Sequence, residues 1–172
     1  MPELFPAFKK DDIYKMVTTT SQRISSDYQN RQPILIGVLN GAFVFLSDLV
    51  RNLNIPIKID FIGVSSYGHG TSPSGSIRLT KEVGLKLQGE DVLVVEDIID
   101  TGLTISYIIN YIKKFDPKSV KICAFLDKTA RRNANVEINY ACFVVDEGFF
   151  VGYGLDYADN YRNLPDVYYL KL

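Results

Sequence analysis

VLVVEDIIDTGLT, residues 92–104, runs from an uninterrupted aliphatic stretch into three carboxylates, Glu96, Asp97 and Asp100, and then into Thr-Gly-Leu-Thr. The aliphatic part, opening at Asp91 and reading DVLVV, predicts a strand buried on both faces. Leu103 to about Phe115 carries a helical pattern closed by Asp116-Pro117, because the residue before proline disfavours the helical region. A buried strand feeding a helix through a polar turn is the repeating unit of an α/β protein.

The same unit recurs on either side. Ile34 to Leu39 is aliphatic throughout and stops at Asn40-Gly41, after which Phe43, Leu46, Leu49 and Leu53 fall on one side of a helix over 42–53. Ile57 to Val64, Val120 to Leu126 and Tyr140 to Val145 read as further strands. Ahead of them, Ile13, Met16, Val17, Thr20 and Ile24 recur at helical spacing behind Asp11 and Asp12, which are placed to cap the helix start. Tyr153, Tyr157 and Tyr161 recur every four residues, which predicts a packed helical stripe. The fold class is therefore α/β, a doubly wound, mainly parallel sheet with helices on both faces.

In such sheets ligands gather at the carboxyl ends of the strands. Here those ends carry Asn40-Gly41, Glu96 to Thr104, Asp127-Lys128 and Asp146 to Asp156, four polar loops on one edge. The start of a helix offers unpaired N–H groups and the positive end of its dipole. Gly102 admits close backbone approach, and Thr101 and Thr104 add hydroxyl donors, so residues 101–104 suit a phosphate. Adjacent acids beside a phosphate suit a sugar diol and a magnesium ion. A plain helix cap at Asp100 and Thr101 would use one acceptor, whereas this turn spends three carboxylates where uncompensated charge is expensive. Asp-Thr-Gly also surrounds the paired carboxylates of aspartic proteases, but those are all-β enzymes, and a single triplet opening a helix after an aliphatic strand fits them poorly.

Composition narrows the classes further. The chain has 172 residues, 47% hydrophobic and 23% charged, enough for one core that buries roughly 70% of the unfolded chain's surface. One domain over residues 1–172 is expected. With a formal net charge of −1 there is no positive field to gather nucleic acid or an anionic membrane, so an anionic substrate must be held locally. MPELFPAFKK lacks a signal-peptide layout, and no uncharged run reaches the ~20 residues of a membrane span, which predicts a cytoplasmic protein. Cys123 and Cys142 lie alone in apolar segments and read as reduced core residues; His69, the one histidine, lies in a Gly-rich polar stretch, a poor base for a histidine-dependent nucleophile. SSYGHGTSPSGS, residues 65–76, is too poor in apolar residues to pack and reads as a mobile loop.

VVEDIIDTGLT resembles the phosphoribosyl pyrophosphate motif of type I phosphoribosyltransferases in its hypoxanthine-guanine form, and the resemblance runs over nearly the whole chain. It implies that fold with a small hood from the chain ends. Leu39-Asn40-Gly41 falls at the family's pyrophosphate loop, which often carries a cis peptide and whose middle residue, Asn40 here, is often Lys or Arg in relatives. Ser66-Tyr67 falls at the flexible lid, Lys128 at the base-recognition lysine, and FFVGYGLDYADNYRNLP, residues 149–165, at the C-terminal base and metal loop.

What the resemblance implies is transfer of the 5-phosphoribosyl group from phosphoribosyl pyrophosphate to a 6-oxopurine, with magnesium, in a homodimer or homotetramer. Asp100 would act at the imidazole side of the base, Glu96 and Asp97 would hold the ribose diol and metal, and Asp156 would hold metal directly or through water. Thr101, Gly102, Leu103 and Thr104 would hold the 5-phosphate, Arg162 would stabilise the leaving pyrophosphate, and Ser66 and Tyr67 would exclude water. Lys128 would donate to the purine O6, Phe149 would stack on the ring, and the backbone near Phe150 would read the far edge. The reading from another class is a regulator that keeps the pocket but senses nucleotides, sometimes on RNA; the acidic balance and the full lid and acid set speak against it.

Overall fold

The computed structural model describes residues 3–66 and 76–171. Its elements in chain order are β1 (Glu3–Phe8), α1 (Lys10–Asp27), β2 (Ile34–Leu39), α2 (Phe43–Asn52), β3 (Lys58–Ser66), β4 (Ile77–Lys81), β5 (Asp91–Ile99), α3 (Leu103–Lys113), β6 (Ser119–Lys128), β7 (Tyr140–Val145), β8 (Phe150–Val151) and β9 (Val167–Lys171). Six strands form the main sheet in the order β4-β3-β2-β5-β6-β7, all parallel except β4, which pairs antiparallel with β3 at one edge.

The alternation of side chains along β5 divides the core between two faces. Leu93 and Val95 point toward α1 and α2 with Phe45, Leu49, Phe125 and Tyr140, whereas Val92 and Val94 point toward α3 with Ile105, Ile108 and Ile112. Both faces are covered, as the continuous aliphatic strands require. The hood is a three-stranded antiparallel sheet, β1-β9-β8, that ties Glu3 to Lys171 and so joins the two ends of the described chain.

Four sequence expectations need correction. β5 does not stop at Val95: Ile98 and Ile99 pair with Leu126 and Asp127, so Glu96 and Asp97 lie within the strand and not in a loop after it. Likewise β6 continues through Lys128. Asp11 and Asp12 sit in the first turn of α1, while the N-cap is Lys9 and the free N–H of Lys10 is taken by Asp166 Oδ1 at 2.6 Å, from the opposite end of the chain. The Tyr153-Tyr157-Tyr161 spacing is not helical. Residues 152–162 form a turn-rich loop with φ of 53° at Tyr153 and 76° at Tyr161. There Tyr153 is buried against Phe125 and donates its hydroxyl to Asp48 at 2.6 Å. Cys123 and Cys142 are buried free thiols, as expected.

Candidate active site

Parallel strands deliver their carboxyl ends to one edge, and three adjoining spaces open there. The widest, about 670 Å³, is lined by Leu39, Asn40 and Gly41 after β2, by Ser65, Ser66, Thr80 and Lys81 from β3 and β4, by Glu96 and Asp97, and by Asp156 and Arg162. A second, about 120 Å³, is walled by Glu96 and residues 98–102 with Thr104 and Ile105. The third, about 220 Å³, lies between Asp97, Asp100, Lys128, Arg131, Phe149, Phe150 and Asp156. A larger apolar groove between α1, α2 and the C-terminal loop holds none of the β5 carboxylates.

Glycine lets these parts meet. The Leu39–Asn40 peptide is cis, and a Cβ at Gly41 would sit 1.7 Å from Asp97 Oδ2, so only glycine leaves room for that carboxylate. Gly154, at φ 97°, packs against the same loop: its Cβ would fall 2.3 Å from the carbonyl oxygen of Gly41. Arg162 donates to the Gly154 carbonyl at 2.7 Å and pairs with Asp156 Oδ1 at 2.8 Å, while Asp156 Oδ2 accepts the Asp159 N–H. Thus the C-terminal loop is fastened to the loop after β2.

Glu96 is 6% exposed and adjoins Asp97. Burial, and then the Asp97 charge, push the Glu96 carboxyl well above the usual carboxylate range; burial raises Asp97 as well. Two acids held this way favour a cation or hydroxyl donors between them and the open space. Among the described residues no group of three or more His, Cys, Asp or Glu is arranged to hold a metal. The donors present are hard carboxylate oxygens, a set that fits a magnesium ion.

At the start of α3 the N-cap is Gly102 in the left-handed region at φ 84°, with no side-chain cap, so Asp100 is not spent on capping. The N–H of Leu103 points to Thr101 Oγ1 at 3.4 Å. Asp100 instead turns to the third space. Its Oδ2 lies 3.3 Å from Lys128 Nζ and 3.3 Å from an Arg131 nitrogen, and its Oδ1 is buried without a hydrogen-bond partner among the described residues. Lys128, 7% exposed, therefore faces the carboxylate before any ligand arrives. Phe149 is partly exposed on the same wall and meets Tyr157 edge-on with ring centroids 5.6 Å apart.

All of the sequence-derived site residues among the described ones reach this edge, with Ser66 exposed at the tip of β3. Leu103 lies at the first turn of α3 with its side chain exposed, leaving its backbone to the cradle. Tyr67, His69 and most of the 65–76 loop lie outside the described residues. Sequence reasoning missed Arg131, Arg132, Lys81 and Tyr157. The two arginines follow Lys128 after Thr129 and Ala130, beyond the end of β6, and Lys81 belongs to a short edge strand.

The mainly parallel sheet carries its acids, the start of α3 and a basic cavity at one strand edge, and residues 8–158 match the phosphoribosyl transferase domain family; the chain belongs to it. The hypoxanthine-guanine phosphoribosyltransferase of Bacillus subtilis is 41% identical over 162 residues, covering 94% of this chain and 90% of that protein. The bifunctional protein TilS/HprT of Listeria monocytogenes is 44% identical over 162 residues, and the chain spans 25% of its length. A crystal structure of a hypoxanthine-guanine phosphoribosyltransferase from Bacillus anthracis superimposes with a TM-score of 0.92 at 34% identity, with 100% of each chain covered. No described helix is long and apolar enough to cross a membrane.

Proposed function

We propose that the chain transfers the 5-phosphoribosyl group of phosphoribosyl pyrophosphate to hypoxanthine, and also to guanine, releasing pyrophosphate in a purine-salvage reaction. The observation that carries this reading is the Lys128–Asp100 pair at 3.3 Å in a cavity that shares Asp97, Ile98 and Asp156 with the wide groove along the strand ends. A base placed there meets a donor and an acceptor on one edge, beside the acids that face the sugar.

Residues 101–104 hold the 5-phosphate, Glu96 and Asp97 the ribose hydroxyls, and Leu39 to Gly41 the pyrophosphate through their backbone. Glu96, Asp97 and Asp156 would hold a magnesium ion, which when bound would supply electrostatic stabilisation of the pyrophosphate. As N9 attacks the anomeric carbon and the bond from that carbon to pyrophosphate breaks, Asp100, which lines the base cavity, accepts the N7 proton. Lys128 then turns from Asp100 to the purine O6, and Arg131 keeps Asp100 oriented. Phe149 stacks on the ring, backed by Tyr157, and the Phe150 backbone reads the far edge. Arg162 stands where negative charge builds on the leaving pyrophosphate. Ser66, Tyr67 and the rest of residues 65–76 form the lid that keeps water from the activated ribose, within a single 172-residue domain. Assembly as a homodimer or homotetramer in the cytoplasm belongs to the same proposal.

The test is direct: magnesium, phosphoribosyl pyrophosphate and hypoxanthine together yield inosine monophosphate, followed by purine absorbance. No inosine monophosphate at saturating substrates rejects the proposal, and repeats with guanine, xanthine and adenine rank the bases.

A further inference from the structure

Arg132 belongs to none of the roles above, yet its guanidinium gathers more backbone acceptors than any group at the site. Nε donates to the Asp100 carbonyl at 3.1 Å; Nη2 donates to the Lys128 carbonyl at 2.8 Å, approaches the Ile99 carbonyl at 3.4 Å, and is held by the Asp127 carboxylate. Carbonyls at the ends of parallel strands have run past their ladder, since Ile99 and Asp127 are the last paired residues of β5 and β6 that face each other. A planar fork of fixed N–H donors satisfies several of them at once, which an ammonium cannot do with the same geometry. The main chain of the same loop continues the contact: the N–H groups of Asn133 and Ala134 donate to the Thr101 carbonyl at 2.8 and 3.1 Å. One loop thus grips three consecutive carbonyls, Ile99, Asp100 and Thr101, on β5 and its turn, and one, Lys128, on β6.

We propose that Arg132 is a positioning residue that couples the two halves of the reaction centre, setting the distance between Asp100 and Lys128 in the base cavity together with the path of residues 101–104 in the phosphate cradle. Arg132 is out of reach of substrate by this account and acts only through the backbone. Rotating or withdrawing its guanidinium frees the ends of β5 and β6 to move apart, and both substrates lose their fixed partners. Misplacement of reacting groups by about 1 Å costs on the order of 10²-fold in rate.

The inference rests on the phosphoribosyl-transfer reading, which wild-type turnover tests by itself. The experiment compares wild type with Arg132→Lys, which keeps a cation beside Asp127 and loses the fork. KM is the informative quantity, because it does not depend on what fraction of a preparation is folded. KM for hypoxanthine and KM for phosphoribosyl pyrophosphate should each rise about fivefold or more, with kcat falling roughly 10- to 100-fold. If both KM values stay within about twofold of wild type, or only one rises, the coupling is overturned. Should Arg132→Lys fail to fold, Asp127→Asn removes only the carboxylate that orients the guanidinium. A rise of both KM values by about twofold or more then supports the coupling, and no change or a one-sided change overturns it.

Discussion

Glu96→Gln separates the site's demand for charge from the fold's tolerance of it. In the folded protein Glu96 is buried against Asp97, its carboxyl is held well above the usual range, and Asp97 lies within hydrogen-bond reach as an acceptor for its proton. Starting at the ordinary glutamate value of about 4.3, the unfolded chain gives up that proton while the folded protein keeps it, up to the raised folded value. Across that window the folded state binds more protons than the unfolded one, so stability falls as pH rises, by about 1.4 kcal/mol per pH unit for one proton. For a chain of this size that is roughly 3–6 °C of Tm per pH unit. Glutamine offers Asp97 a similar N–H donor and does not titrate. In metal-free buffer with a chelator, thermal unfolding followed between pH 5 and 8 should give Glu96→Gln the flatter Tm profile, with the variant matching or exceeding wild type at the alkaline end. Activity should move the other way: kcat/KM for phosphoribosyl pyrophosphate should fall about 10- to 100-fold, because an amide neither holds magnesium as well nor accepts from both ribose hydroxyls. Tm profiles of equal slope, or unchanged use of phosphoribosyl pyrophosphate, would refute the reasoning.

Three further outcomes follow from the geometry. Asp100→Asn removes the carboxylate lining the base cavity and should lower the rate of the chemical step by about 10²- to 10⁴-fold in single-turnover measurements; an unchanged step means another group takes the proton. Lys128→Ala should cut kcat/KM for hypoxanthine and narrow its preference over adenine, which in wild type can reach about 10⁴-fold because adenine carries an amino group where hypoxanthine has O6 and offers the Lys128 ammonium no acceptor. Comparable wild-type kcat/KM for adenine and hypoxanthine refutes that role. Gly154→Ala forces a Cβ to within 2.3 Å of the Gly41 carbonyl at a φ of 97°. It should cost about 1–3 kcal/mol, or roughly 2–12 °C in Tm, and raise KM for phosphoribosyl pyrophosphate; a variant with wild-type values in both measurements shows that the two loops are not coupled.

How far the sequence leads depends on whether the partners of a residue are local. The strands at the centre of the sheet carry their own signal, because burial on both faces demands aliphatic side chains; β2, Ile34–Leu39, is read to the residue. Signal fails where a carboxylate interrupts the run. Glu96 and Asp97 look like the end of a strand, yet β5 continues for the sake of Ile98 and Ile99, whose pairing with β6 outweighs the cost of placing two acids within the sheet edge. It fails again at β4, where Ile77–Lys81 is a mostly exposed edge strand with little apolar content, and at β1 and β9, whose register pairs Glu3 with Lys171 and Phe8 with Val167 from opposite ends of the chain.

The site divides along the same line. Glu96, Asp97, Asp100 and the cradle at 101–104 are neighbours in the chain, and their chemistry is visible as a cluster before any fold is known. Arg131, Arg132 and Tyr157 are not, because nothing in TARRNANVE or in three evenly spaced tyrosines distinguishes a ligand of Asp100 from a solvated arginine, or a ring behind Phe149 from one face of a helix. Their roles arise from where β5, β6 and the C-terminal loop end in space. The acids proposed to act on the sugar and the base are written together on one strand end, whereas Arg131, Arg132 and Tyr157 lie on loops that meet that end only after folding.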